Sequence, residues 1–177
     1  MQKGKSAMVD AGLYVFSITD VRLVGERLSL AVQDFAPDFP PAEYKIGRTK
    51  RGKPFFEGIP LKLSISHSGR WWVLALAYDE IGVDVQEMRA VRYEALARRF
   101  FHPQEVNELE KSGFDDFYRI WTRKESYVKL TGAGIDAHFR EFSVFTVSAA
   151  FQEVWLEKGY VLTICTREPA AVQLKYL

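Results

Sequence analysis

The sequence predicts an α+β fold built from two halves of similar make-up that meet near residue 80. Three observations point there. A strand pattern at 12–19 precedes a helical pattern at 20–34, strands return between 61 and 86, and helices and strands then recur. Hydrophobic residues make up 47% and aromatics 14% of the 177 residues, enough for a substantial core. No long linker, low-complexity tract or repeated sequence separates the halves, so their similarity lies in element order alone.

The run GLYVFSIT (12–19) reads as a first strand and residues 20–34 as a helix. DFAPDFPPAEY (34–44) holds three prolines, which forbid a continuing helix and predict a loop. GRTKRGKPFF (47–56) reads as a flexible basic loop ahead of two phenylalanines. LKLSISHSG (61–69) alternates and stops at Gly69, as a strand ending in a polar turn does. WWVLALAY (71–78) and IGVDVQ (81–86) read as a hairpin around Asp79-Glu80. Within IGVDVQ, Ile81, Val83 and Val85 face one way, and Gly82, Asp84 and Gln86 the other.

A helix from about Arg92 to Phe100 follows. A second begins at FHPQE, where Pro103 suits the first helical position and Glu105 the first turn. A third covers about 115–131, with Asp115 or Asp116 to cap it and Gly132 to close it. Two strands, roughly 151–157 and 159–166, complete the pattern around Glu157-Lys158-Gly159.

The third helix carries an anomaly. Phe117, Ile120, Trp121 and Val128 mark its apolar face, yet Lys124 and Glu125 fall on that same face. Removing an ion from water costs several kcal/mol unless it is paired, and adjacent helical residues diverge too far to satisfy each other. Either both snorkel to the rim, or other groups meet them.

Composition narrows the function classes. The net charge of +1 gives no global attraction to nucleic acid or membrane. One cysteine and three histidines exclude an internal disulfide framework and argue against a zinc cluster. Cys165, in the apolar run YVLTICT, reads as a buried inert thiol. MQKGKSAMVD has no apolar run after its lysines, so no signal peptide is expected. No stretch approaches the roughly 20 apolar residues of a membrane span. A cytoplasmic protein without nucleic-acid or membrane partners is the expectation.

Three segments collect polar residues that a plain core does not require. Ser66, His67 and Ser68 at a strand end can form an anion site or a structural turn. Arg48, Lys50, Arg51 and Lys53 can collect phosphate or sit in water; the segment lacks the GKS/GKT ending of a P-loop. Asp84 interrupts an apolar strand and must be edge-exposed, hydrogen-bonded or holding a metal. Together, a carboxylate on a strand, a carboxylate on a helix and nearby lysines match a magnesium–diphosphate site. Glu125 would face inward to hold the ion, with Lys124 and Lys129 flanking the phosphates.

The ordered set GKP (52–54), SISHSG (64–69), IGVDV (81–85) and WTRKESYVKLTGAG (121–134) resembles the 4′-phosphopantetheinyl transferases of the surfactin-synthetase-activating type. Their signatures are a Gly-Val/Ile-Asp segment and a W-x-x-K-E-[AS]-x-x-K segment. Order and spacing agree over 46–134, RFFHPQE falls in its expected place, and GIDAHFREFSV resembles the following stretch more loosely. The resemblance implies two pseudo-symmetric α/β halves, each a small antiparallel sheet packed with helix, with the site between them. Residues 1–80 would supply coenzyme A nucleotide contacts, and 81–177 the magnesium and catalytic residues.

The implied activity moves the phosphopantetheine arm of coenzyme A to a serine of an acyl or peptidyl carrier protein, by a monomer. Asp84 and Glu125 would be the magnesium carboxylates, with Gln86 a third ligand. Arg48, Lys53, Ser66, His67, Lys124 and Lys129 would meet coenzyme A. Glu105, Glu125 and Lys129 would be catalytic, Glu105 as the base for the carrier serine, in competition with a magnesium-bound water. Two departures stand out. Gln86 replaces the family's usual Glu, and few residues precede the first helix, which leaves Arg22 and Arg48 for the coenzyme's 3′-phosphate. A non-catalytic relative that binds carrier protein or coenzyme A is the competing reading.

Overall fold

The computed structural model describes residues 9–20, 22–40, 44–134 and 139–177. The expected absence of a leader at the start, the third proline of the 34–44 loop and the first part of GIDAHFREFSV lie outside those residues.

The elements run β1 (Val9–Ser17), α1 (Val24–Phe35), β2 (Lys45–Arg48), β3 (Pro54–Glu57), β4 (Lys62–Ser68), β5 (Trp71–Ala77) and β6 (Ile81–Glu87). Then come α2 (Tyr93–Phe100), α3 (Pro103–Lys111), α4 (Phe117–Thr131), a 3-10 turn (Phe139–Glu141), β7 (Ala150–Glu153), β8 (Tyr160–Thr166) and β9 (Ala170–Tyr176). One sheet has the order β4-β5-β1-β9, a second β6-β8-β7, and β2 and β3 form a separate hairpin.

Alternation along the strands explains the layering. Leu13, Val15, Val73 and Ala75 of the first sheet meet Val83, Val85, Leu162 and Ile164 of the second. The other face of the first sheet presents Tyr14, Phe16, Leu74 and Leu76 to Leu28 and Val32 of α1. A third cluster, with Phe101, Leu109, Phe117 and Ile120, joins α2, α3 and α4. Each fully buried Val, Leu, Ile or Phe among them contributes about 1.5–3 kcal/mol relative to exposure. Among the described residues, no helix is long and apolar enough to cross a membrane.

The helix ends follow their sequence signals in part. Pro103 opens α3, and the Glu105 carboxylate accepts from the His102 N–H at 2.9 Å to complete a capping box. Gly132 closes α4 in the left-handed region at φ 69°. Asp116 does occupy the N-cap position of α4, but it makes no capping bond; its carboxylate takes Arg119 Nη1 at 3.1 Å instead.

Three sequence expectations change. The hairpin expected between residues 71–78 and 81–86 does not form. β5 already has β4 on one edge and β1 on the other, so no edge remains for β6, which pairs with β8 in the second sheet. The basic loop is the turn of the β2–β3 hairpin, with Ile46 opposite Phe56. Finally, an additional strand, β9, returns to pair in parallel with β1, so sheet pairing crosses the expected 80/81 division. Its Val172 and Leu174 reach the inter-sheet core, while Gln173 is exposed. All other pairings are antiparallel.

Side chains join the two sheets where backbone pairing does not. Ser64, Ser66 and Ser68 project from β4 toward the free edge of β6. Their hydroxyl oxygens accept from the N–H groups of Val83, Val85 and Glu87 at 3.0, 3.3 and 2.9 Å. These bonds satisfy an otherwise unpaired strand edge inside the molecule. On the outer face of β6, a Cβ on Gly82 would lie 1.9 Å from the Ser126 carbonyl oxygen. Glycine is therefore what lets α4 lie directly on the strand.

Candidate functional site

The site forms at this serine junction. Alternation along β6 turns Asp84 toward α4, and helical spacing brings Glu125 and Lys129 of α4 above it. Asp84 is 2% exposed. Its Oδ1 accepts from Ser66 Oγ at 2.7 Å and from Lys129 Nζ at 2.7 Å, while Oδ2 accepts from Gln86 Nε2 at 3.2 Å. Lys129 also donates to Ser66 Oγ at 2.9 Å. The Ser66 hydroxyl thus gives its one proton to Asp84 and accepts from Lys129 and the Val85 N–H, which uses its full capacity.

Glu125 differs. It is half-buried, and no hydrogen bond from a described residue reaches its carboxylate. Burial raises its pKa above the ordinary carboxylate range, the Asp84 charge adds to that rise, and Lys129 opposes it. Two carboxylates repelling each other across a cleft, one of them without a donor, fit a divalent cation bound by oxygen. Among the described residues no third acidic, histidine or cysteine side chain completes a cluster. Gln86 turns its amide N–H₂ to Asp84 and its oxygen toward Ser68 Oγ at 3.5 Å, so it acts as a donor here.

A pocket of about 320 Å³ opens beside Glu125 and Lys129. Leu63, Ile65 and Val128 give it apolar walls, and Arg51 and Lys53 of the β2–β3 turn face the α4 end. Lys53 Nζ donates to the Leu130 carbonyl at 2.7 Å and pairs with Glu80; Arg51 Nη1 donates to the Ala133 carbonyl at 3.3 Å. The N-terminal hairpin is therefore tied to the end of α4, and the pocket lies between them.

Several expected residues stand elsewhere. Arg48 donates to the Gly52 carbonyl at 3.0 Å within its own hairpin and does not line the pocket. Arg22 pairs with Asp20 and lies over the Phe16 ring on the α1 side. His67 is exposed on the side of β4 opposite Ser66. Lys124, expected beside the phosphates, and Glu105, expected as the base, are each 0% exposed and paired with each other. No oxygen of Glu105 is open to the cleft.

Ser64 was not among the candidate residues, while Ser68 and Arg51 were named only as members of an anion-site turn and a phosphate-collecting basic loop and were given no role of their own. The signal for the serines was present in the i, i+2, i+4 spacing of SISHS, which places three hydroxyls on one side of a strand. Arg51 had no such signal within its charge run.

Residues 80–172 match the model of the 4′-phosphopantetheinyl transferase superfamily, and the chain belongs to that family. It is 35% identical over 127 residues to a 4′-phosphopantetheinyl transferase of Bacillus subtilis, covering 69% of this chain and 56% of that protein. It is 30% identical over 153 residues to 4′-phosphopantetheinyl transferase psf-1 of Bacillus pumilus, covering 75% and 65%. The 4′-phosphopantetheinyl transferase ffp of Bacillus subtilis is 32% identical over 166 residues, covering 83% and 74%. For the first two, the match spans less than two thirds of the relative's own length.

Proposed function

We propose that this chain transfers the 4′-phosphopantetheine arm of coenzyme A to a serine hydroxyl of an acyl or peptidyl carrier protein and requires magnesium. The observation that carries the reading is the meeting of Asp84, Glu125 and Lys129 beside a pocket whose far wall is Arg51 and Lys53. A coenzyme diphosphate needs cations at one end and oxygen ligands for its metal at the other, and this pocket offers both.

Asp84 and Glu125 would hold the ion, and Gln86 can add its carbonyl oxygen only after its amide turns over. When bound, magnesium neutralises charge on the diphosphate oxygens. Lys129, already between Ser66 and Asp84, is positioned to stabilise charge on the leaving group. Lys53 and Arg51 orient the nucleotide end. The serine oxygen forms a bond to the phosphorus that carries pantetheine, the bond to the second phosphate breaks, and adenosine 3′,5′-bisphosphate leaves. The serine proton passes to water or to a carboxylate of the cleft. In this division of labour residues 1–80 supply nucleotide contacts, and 81–177 the metal ligands and Lys129. A monomer suffices, since one chain carries both walls of the pocket.

The test is to incubate the protein with coenzyme A, magnesium and several apo carrier proteins, and to weigh the carriers. A mass gain equal to the phosphopantetheine arm, lost without magnesium, is the expected result. Carrier binding with no mass gain on any carrier would instead favour a non-catalytic binding protein.

A further inference from the structure

Two side chains beside the cleft turn away from it. Lys124 Nζ lies 3.0 and 2.8 Å from the two Glu105 oxygens, and among the described residues theirs is the ion pair with both side chains at 0% exposure. Glu105 Oε1 also accepts from the Val144 N–H at 2.8 Å, and Oε2 from the His102 N–H at 2.9 Å. Both oxygens therefore have two donors each. Lys124 donates in addition to the Phe142 carbonyl at 2.8 Å. Its ammonium sits 4.1 Å from the Phe142 ring centroid, with Phe101 and Phe139 at 5.9 and 5.7 Å. The pair joins the start of α3, the middle of α4 and the segment 142–144.

We propose that the Lys124–Glu105 pair is a positioning lock. It fixes the roll of α4 about its own axis and so aims Glu125, the next residue, at Asp84; neither member exchanges a proton with the substrate. Gly82 sets how closely α4 approaches β6, through the Ser126 carbonyl, but a helix resting on a strand can still roll. Successive helical side chains point about 100° apart, so the direction of Glu125 follows from that of Lys124. Rolling α4 would pull the ammonium from its carboxylate and aromatic walls, leaving a buried charge unpaired at a cost of several kcal/mol. The lock is thus stiff because both of its members are sealed from water.

The inference rests on the transferase reading, so its test includes measurements that need no transfer. The full-length Glu105→Gln variant keeps the shape of the site and the two bonds of one oxygen, but sets an N–H₂ group against the donors of the other and so weakens the hold on Lys124. A crystal structure of this variant should show the Glu125 carboxylate displaced from its place beside Asp84. The magnesium concentration that gives half of the metal-induced rise in Tm should increase about ten- to a hundredfold, as when a group supporting a metal ligand is removed. At saturating magnesium kcat should fall less than about tenfold, with the limbs of its pH profile unmoved, whereas loss of a general base costs about 10²–10⁴-fold. An unmoved Glu125 and unchanged magnesium dependence, or a kcat loss of about a hundredfold or more with one pH limb gone, would overturn the lock.

If Glu105→Gln does not fold, the double variant Lys124→Met/Glu105→Leu removes both charges and retains apolar bulk. It should fold, by circular dichroism, raise the magnesium concentration for half of the metal-induced rise in Tm as Glu105→Gln does, and at saturating magnesium transfer within about tenfold of the parent. A magnesium dependence unchanged from the parent's, or a folded double variant without transfer at saturating magnesium, overturns the proposal. Failure of the parent itself to transfer would count against the transferase reading, and the position of Glu125 in the variant structure would still decide the lock.

Discussion

Two lysines five residues apart on α4 meet carboxylates under opposite conditions. Lys124 and Glu105 are both 0% exposed, and every oxygen position of the acid is taken by the protein. Lys129 is 28% exposed above an Asp84 that is 2% exposed, and Glu125 beside them has no hydrogen bond from a described residue. A third pair, Lys175–Asp34, lies at the surface at 40% and 35% exposure. The chemistry of the pairs is the same, and the protein's own donors make the difference. Where they fill every acceptor the pair is architecture; where acceptors remain, the pair can receive a ligand.

Stability measurements can break or sharpen this contrast. Lys124→Met leaves Glu105 as an uncompensated buried charge and should cost about 3–5 kcal/mol in urea unfolding. A midpoint close to the parent's would mean that the sealed pair is not one. Gly82→Ala should cost about 1–3 kcal/mol, because its methyl would push into the Ser126 carbonyl, and the same shift of α4 should lower transfer. An unchanged Tm would show that α4 can lift from β6 freely. Lys129→Met should cost less than Lys124→Met, about 1–3 kcal/mol, since the buried Asp84 loses one donor but keeps those of Ser66 and Gln86. Its transfer rate should nonetheless fall by about a hundredfold or more. A large loss of stability with transfer intact would reverse the roles assigned to the two lysines.

The smallest effect belongs to the surface pair. Lys175, and then Tyr14, hold the Asp34 carboxyl below its ordinary pKa. A carboxyl depressed in the folded state stabilises it above the ordinary carboxylate pKa, and that contribution is lost as pH falls through the depressed value. Lys175→Met should therefore flatten the acid side of the stability profile by less than about 1 kcal/mol. A steeper acid loss in the variant would contradict the sign.

Much of the site was legible because periodicity assigns faces. The alternation of IGVDVQ put Asp84 and Gln86 opposite Val83 and Val85, and Val83 and Val85 do enter the core. The apolar stripe of α4 flagged Lys124 and Glu125 as charges needing partners, and Lys124 has one. Which partner it has was not legible, since Glu105 reads equally as a first-turn acid and as a base. The β5–β6 hairpin misled because strand pairing depends on which edges are already taken, and β1 claims one from the far end of its half. β9 was missed because its alternation is short of fully buried residues; only pairing with β1 makes it a strand.

By itself the sequence determined the direction each side chain takes from its own element, the helix ends at Pro103 and Gly132, and the order of motifs that marks the family. Only the tertiary structure decided what stands opposite. Lys124 meets a residue 19 positions away, and Lys129 meets residues 45 and 63 positions away. Local periodicity sets orientation through backbone geometry, but pairing depends on how separate elements pack. That packing, here a serine ladder and a glycine contact, makes one lysine structural and leaves the other facing the cleft.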